Sequence, residues 1–290
     1  MSLRVVTAGP STLVQDAGRP GLAHLGVGPS GAFDRAALRQ ANHLLGNSED
    51  AAGLETFGGL TLVAEGRHVV ALSGSPGAAL VDGAPVSSGR AIVLRDGSTL
   101  EVAAPVHGLR RTVAVAGGLA VPAALGSRSR DTLAGLGPEP LAAGDRLPVG
   151  PAGTVPAHAD VEPTPRSGDI EVGVVPGPRD DWFTPASLAL LCRTGWRVSD
   201  RSDRIGVRLD GPPLERSRTD ELASEPVVRG SIQVTSSGLP VVLGPDHPVT
   251  GGYPVIAVVR DADVDLLAHV APGRVVRFRR AGPATGSWPS

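Results

Sequence analysis

Three stretches of the chain are denser in polar groups and glycine than turns alone require. The first is Gln15-Asp16-Ala17-Gly18-Arg19-Pro20-Gly21, followed by His24 and by Ser30-Gly31-Ala32-Phe33-Asp34. The second is Ser199-Asp200-Arg201-Ser202-Asp203-Arg204, and the third runs from Asp246-His247 through Thr250-Gly251-Gly252-Tyr253-Pro254. Glycine beside Asp, Arg and Tyr lets the backbone approach a small ligand while the side chains supply directed hydrogen bonds. The same residues also suit ordinary turns and surface Asp–Arg pairs. Each stretch alone is therefore a candidate binding segment and no more.

Other chemistry is poorly supported. Gly26-Val27-Gly28-Pro29-Ser30-Gly31 has the spacing of a dinucleotide-binding turn before a helix. It fails on context: Leu22–Leu25 does not read as a buried strand, and Asp34 would place a carboxylate where a pyrophosphate should sit. No G-x-S-x-G elbow is present, and His24, His43, His68, His107, His158, His247 and His269 lack metal-ligand spacing. Cys192 is the single cysteine, so an intrachain disulfide and a cysteine-based zinc site are both excluded. All 27 Lys+Arg residues are arginine. The sequence thus has no Schiff-base lysine, no Walker-type lysine and no lysine to carry biotin.

The elements that must position these residues read as mainly β. Short Val-rich runs alternate with abundant glycine and proline, the pattern of many short strands. Expected strands are 69–73, 91–94, 99–103, 112–116, 170–175, 231–234, 240–243, 253–259 and 274–279. Several are continuously apolar, as in a barrel or sandwich strand buried on both faces. Helices are expected from Asp34 (the cap) to Leu45, over 185–194 with Thr184 as cap, and near 262–270 with Asp261 as cap. The Pro/Gly/Ala-rich stretch 148–168 reads as a linker. It divides an N-terminal β-rich domain, 1–150, from a C-terminal barrel domain, 166–290. A net charge of −2 offers no basic footprint for nucleic acid. No apolar run is long enough to span a membrane and no leader-like segment opens the chain, so a cytoplasmic location is expected.

The polar stretches also carry a resemblance. Val14-Gln15-Asp16, Gly18-Arg19, His24-Leu25-Gly26-Val27, Ser30-Gly31-Ala32 with Asp34, and Glu55-Thr56-Phe57-Gly58-Gly59 resemble the opening of the KipA/PxpC family. Ala114-Val115-Ala116-Gly117-Gly118 and Leu125-Gly126-Ser127-Arg128-Ser129 are similar to its middle. Pro176-Gly177-Pro178, Asp203-Arg204-Ile205-Gly206, Gly230-Ser231-Ile232-Gln233-Val234 and Thr250-Gly251-Gly252-Tyr253-Pro254 follow in the order of its second half. The resemblance covers nearly the whole chain.

What the resemblance implies is specific. The fold would be cyclophilin-like β-barrel domains, similar to one half of the urea carboxylase carboxyltransferase region. The activity would be that of one component of a multi-chain 5-oxoprolinase, which opens 5-oxo-L-proline to L-glutamate with ATP. Its companions there would be a KipI-like chain and a LamB/YcsF-like chain. Two other readings accompany it. One is biotin-dependent carboxyl transfer to a urea-like amide, with biotin on another protein. The other is a non-catalytic antagonist of a KipI-like kinase inhibitor. At the matched positions, Asp246 would orient or deprotonate the amide N–H, and Tyr253 would bond the carbonyl. Arg204 or Arg19 would neutralise a carboxylate or phosphate. Gln15, Asp16, His24, Ser30, Asp34, Gln233 and Thr250 complete the expected substrate contacts. The sequence departs from the family at Pro248-Val249, where Gln and Thr are usual, and at Val255, where a basic residue is common. Two hydrogen-bonding groups are lost there, so the resemblance leaves the substrate open.

Overall fold

The computed structural model describes residues 1–156 and 168–281. Most of the expected linker, His158 and the expected start of the second domain at 166 lie outside the described residues. The chain divides into two compact units. The first comprises Met1–Pro20, Ser30–Asp131 and Gly135–Ser167; the second comprises Gly21–Pro29, Thr132–Ala134 and Gly168–Ser290. Two short excursions of the N-terminal half, 21–29 and 132–134, thus belong to the second unit.

The first unit contains β1 (Ser2–Ala8), β2 (Thr12–Gln15), α1 (Arg35–Leu44), β3 (Gly53–Thr56), β4 (Leu60–Glu65), β5 (His68–Gly74) and β6 (Ala79–Val81). It continues with β7 (Ala84–Pro85), β8 (Ala91–Leu94), β9 (Thr99–Val102), β10 (Arg111–Val115) and β11 (Arg146–Pro148). They form a six-stranded sheet, β11-β1-β4-β9-β6-β7, and a five-stranded sheet, β2-β3-β10-β5-β8. Strand β4 alternates buried and half-buried residues, with Leu60, Leu62 and Ala64 inward. It is a strand with one dry face. Strand β10 is buried at every position. Val113 and Val115 join the main core with Leu54, Val70 and Leu72, whereas Ala114 packs with Ala41 and Leu44 of α1 and with Leu45 just beyond it. Cover on both faces explains why β10 reads as a continuous apolar run.

Helix α1 begins where expected. The Asp34 carboxylate accepts a hydrogen bond from the Ala37 N–H at 2.8 Å, satisfying one of the free donors of the first turn. Asp34→Ala is expected to lower stability by about 1 kcal/mol, read from the midpoint of urea unfolding. An unchanged midpoint would show that this cap does not hold the helix.

The second unit contains β12 (Ile170–Pro176), α2 (Pro185–Arg193), β13 (Gly195–Val198), β14 (Gly206–Asp210), β15 (Glu225–Pro226) and β16 (Ser231–Val234). It ends with β17 (Pro240–Leu243), β18 (Thr250–Gly251), β19 (Val255–Val259), α3 (Asp261–Leu267) and β20 (Val275–Arg280). Seven strands close a barrel in the order β12-β19-β16-β17-β14-β13-β20. The parallel pair β12–β20 completes the ring, leaving the barrel no free edge. Val172, Val174, Trp196, Val207, Ile232, Val242, Ile256 and Phe278 are buried. The Trp196 indole N–H donates to the Leu191 carbonyl at 2.9 Å, tying α2 to the barrel. The mainly β expectation therefore holds, with the barrel in the second unit and two sheets in the first.

Some element boundaries differ from expectation. Helix α3 is capped at Arg260 with no side-chain cap bond, and Asp261 lies inside its first turn. There Asp261 pairs with Arg229 at 2.9 Å, while Arg229 also reaches Asp265 at 2.6 Å. Arg229 thus engages this carboxylate, which also sits favourably in the first helical turn. The expected strand 253–259 begins only at Val255. Among the described residues no helix is long and apolar enough to cross a membrane.

Candidate functional site

The sequence-expected residues fall into two groups, one per unit. In the first unit they knit two loops together. Gln15 ends β2, and its amide donates to the Arg130 carbonyl at 2.9 Å. The Asp16 carboxylate accepts from the Gly18 N–H at 2.8 Å, the Arg128 N–H at 2.6 Å, the Ser127 hydroxyl at 2.6 Å and the Ser129 hydroxyl. Arg19 donates to the carbonyls of Ala124 and Ser129 and lies 3.9 Å from Asp131. Ser30 adopts a left-handed backbone at φ 53° and donates to the Arg130 carbonyl at 3.1 Å. Gln15, Asp16, Arg19, Ser30 and Asp34 are all buried. Four donors on one carboxylate leave Asp16 little capacity for a ligand. In this structure it organises the loop 127–131.

Sequence reasoning missed a neighbouring constellation. Glu55 and Arg110 form a buried ion pair at 3.3 Å, and Glu55 also accepts the Phe33 N–H at 2.8 Å. The Arg110 guanidinium lies 4.5 Å from the Phe33 ring centre and 5.0 Å from that of Phe57, so its charge is shared between a carboxylate and two ring faces. The signal was present in Glu55-Thr56-Phe57, but its partner Arg110 lies far along the chain.

The second unit has two polar sets. In one, Arg204 grips Asp246 at two points, Nε to Oδ2 at 2.9 Å and Nη2 to Oδ1 at 3.1 Å. Thr132 adds its N–H at 2.9 Å and its hydroxyl at 2.8 Å, both to Oδ2. Asp246 is fully buried. It fixes the excursion 132–134 and does not face open space, so its geometry is that of a positioning group. Gly28 closes against the same segment: a Cβ there would lie 2.8 Å from the His247 carbonyl. The glycine spacing around Gly28 thus serves close packing. The residues before it form a 3-10 turn, Ala23–Leu25, not a strand. His24 is exposed on that turn, its Nδ1 3.2 Å from the Gly21 carbonyl.

The other set gathers around Tyr253. Gln233 on β16 donates to the Tyr253 carbonyl at 3.1 Å, and a Cβ at Gly251 would lie 2.4 Å from that same amide nitrogen. Thr250 pairs with Pro226 in the short β15–β18 ribbon. Glu225 of this ribbon forms a two-point ion pair with Arg179, whose N–H donates to the Val255 carbonyl at 3.1 Å. Gly177 must be glycine, because a Cβ would lie 2.3 Å from that carbonyl. Arg216 donates to the Val234 carbonyl. Burial lowers its pKa, and interaction with Tyr253 opposes that. The matched motifs at 176–178, 230–234 and 250–254 therefore converge. Tyr253 remains 43% exposed, so its phenol is available to a ligand. Arg179, Arg216 and Glu225 were not foreseen, although Arg179 directly follows Pro176-Gly177-Pro178.

Comparison with known proteins agrees over the length of the chain. Residues 25–280 match the family described as carboxyltransferase domain, subdomain A and B. The chain is 38% identical over 280 residues to a 5-oxoprolinase subunit of Escherichia coli (strain K12), covering 95% of this chain and 90% of that protein. Among solved structures, that of TTHA0988 superposes with a TM-score of 0.88 at 35% identity, covering 96% of this chain and 56% of that one. The K. lactis urea amidolyase superposes at 0.89 with 29% identity, covering 97% of this chain and 19% of that polypeptide. The chain thus spans about half or less of the solved chains it matches.

Proposed function

The chain belongs to the carboxyltransferase subdomain A and B family together with the Escherichia coli 5-oxoprolinase subunit, and from that membership we propose that it serves as one component of an ATP-dependent 5-oxoprolinase. The observation that carries the proposal is the 38% identity with that subunit over nearly the full length of both chains. The partners would be a KipI-like chain and a LamB/YcsF-like chain, and the complex would work in the cytoplasm. The reaction opens 5-oxo-L-proline to L-glutamate.

A lactam is a poor electrophile, because its nitrogen lone pair is delocalised into the carbonyl. Hydrolysis needs the oxygen activated and the leaving nitrogen protonated. ATP would supply the activation. The residues of this chain do not fit a triphosphate at the one loop whose spacing suggested it. The helix N-terminus that follows is already occupied by the Asp34 carboxylate, which repels phosphate. That loop is therefore no nucleotide site; ATP would bind at a site shared with, or on, a partner chain, and this chain would hold the lactam. Tyr253, exposed above the Gly251-Gly252 turn, donates its phenolic proton as a hydrogen bond to the lactam oxygen. Gln233 and Gly251 fix the backbone from which it projects. Arg216, whose charge is felt electrostatically at Tyr253, supplies positive charge for the substrate carboxylate.

The decisive experiment is to co-purify the chain with its KipI-like neighbour and assay ATP- and 5-oxoproline-dependent glutamate release with and without the LamB/YcsF-like chain. No release from any combination would refute the proposal. The structural match to urea amidolyase favours a second reading, carboxyl transfer to a urea-like amide. In that case biotin would reside on another protein, since this chain has no lysine to hold it. Under either reading, intact mass of the chain purified from cells with biotin ligase is expected to show no biotinyl adduct. An adduct would overturn the argument from the missing lysine.

A further inference from the structure

The first unit holds a cleft of about 210 Å³ beside α1. Arg35 and Arg39 line it from α1, four residues apart and so on one helical face. Exposed Ala17 provides apolar surface and buried Leu38 only an edge, Asp16 lines the cleft just after β2, and Glu49 and Asp50 line it from the loop that follows the helix. Arg39 and Glu49 are both exposed, and neither side chain forms an ion pair among the described residues. Of the five charged residues that line the cleft, Asp16, Asp50 and Arg35 have partners of their own, and Arg39 and Glu49 face one another's charge without bridging.

We propose that this cleft binds a free α-amino acid as its zwitterion. The ligand's carboxylate would meet the Arg39 guanidinium, whose planar fork suits a two-point contact. Its ammonium would meet Glu49, and its aliphatic carbons would lie on Ala17 and the edge of Leu38. The volume is below the range of pockets for drug-sized ligands, and a single amino acid suits it. A lactam fits the charge pattern poorly. It carries a carboxylate but no ammonium, so Glu49 would be desolvated against a neutral amide. The cleft therefore discriminates an open-chain amino acid from its cyclic amide. That the amino acid is L-glutamate, the ring-opened product, rests on the function proposed above; the zwitterion class does not.

Isothermal titration calorimetry on the full chain tests this, with L-glutamate and 5-oxo-L-proline as probes. Saturable one-site binding of L-glutamate is expected, with 5-oxo-L-proline at least about ten-fold weaker. Arg39→Ala and Glu49→Ala should each weaken L-glutamate about ten-fold or more, the scale of one hydrogen bond to a charged group. Both positions are exposed, so unfolding transitions matching the unsubstituted chain should accompany the loss. Absence of saturable L-glutamate binding, equal affinity for the lactam, or binding unchanged in both variants would each overturn the proposal. Glutamate release by the assembled complex is scored separately. Binding without release keeps the cleft and sinks the 5-oxoprolinase reading; release without binding does the reverse.

Discussion

Asp246→Ala is expected to destabilise the barrel unit by about 3–5 kcal/mol, the cost of removing one partner of a buried ion pair. Side-chain exposure is 6% for Arg204 and 0% for Asp246. Water therefore does little to screen the guanidinium once its carboxylate is gone. The Thr132 N–H and hydroxyl lose their acceptor in the same step, which adds the desolvation cost of unmet donors. Asp246→Asn keeps an acceptor oxygen but not the charge, so it should fall between. Arg204→Met added to Asp246→Leu should recover much of the loss, because an apolar pair of similar volume often replaces a buried ion pair at little cost. Urea unfolding followed by tryptophan fluorescence measures all four chains. A loss under about 1 kcal/mol in Asp246→Ala would show that the carboxylate does not hold the loop 132–134. The mutation separates two roles that motif position alone could not. A proton-transfer group should leave stability intact when replaced, whereas a group saturated by Arg204 and Thr132 should not.

The residues that were legible are those whose neighbours in sequence are also their neighbours in space. Asp34 and Thr184 cap helices that begin one residue later, and β8, β16 and β17 occupy the ranges expected of them. Strand β13 was missed because it starts at Gly195, the residue that reads as the stop signal of α2. Strand β1, seven residues long, was missed because its inward alternation, Leu3 and Val5, breaks at the register shift between Val5 and Thr7 and leaves Val6 exposed. Closure of the barrel by β12 and β20 joins segments from opposite ends of the second unit, and nothing local announces it. The same limit governs the sites. Asp246, Arg204, Gln233 and Tyr253 stood out by type and motif. That Arg204 and Asp246 would consume each other across 42 residues, or that Arg179 would find Glu225 across 46, was not encoded in either segment. Composition identified polar residues worth watching. Only the folded placement of loops distant in sequence decided which became internal ties and which kept an exposed functional group.

Tyr253 is the residue of the second kind, and Tyr253→Phe is expected to lower turnover of the assembled complex about 10²-fold. Its backbone is fixed from below: the carbonyl accepts the Gln233 amide at 3.1 Å, and Gly251 makes room for that amide. Its ring is partly exposed, so deleting one oxygen disturbs no buried packing. Phenylalanine keeps the ring and the backbone bond and removes only the phenolic donor. If that donor stabilises charge building on the lactam oxygen, its loss should fall on kcat in the range seen for a single oxyanion-stabilising group. The KM for 5-oxo-L-proline should change little, because the bond strengthens chiefly in the transition state. Assembly with the partner chains and the urea midpoint should match the unsubstituted chain. A Tyr253→Phe complex within about two-fold of normal kcat would remove the phenol from the chemistry. Attention would then move to Arg216, whose guanidinium is held at the Val234 carbonyl within electrostatic reach of the same ring.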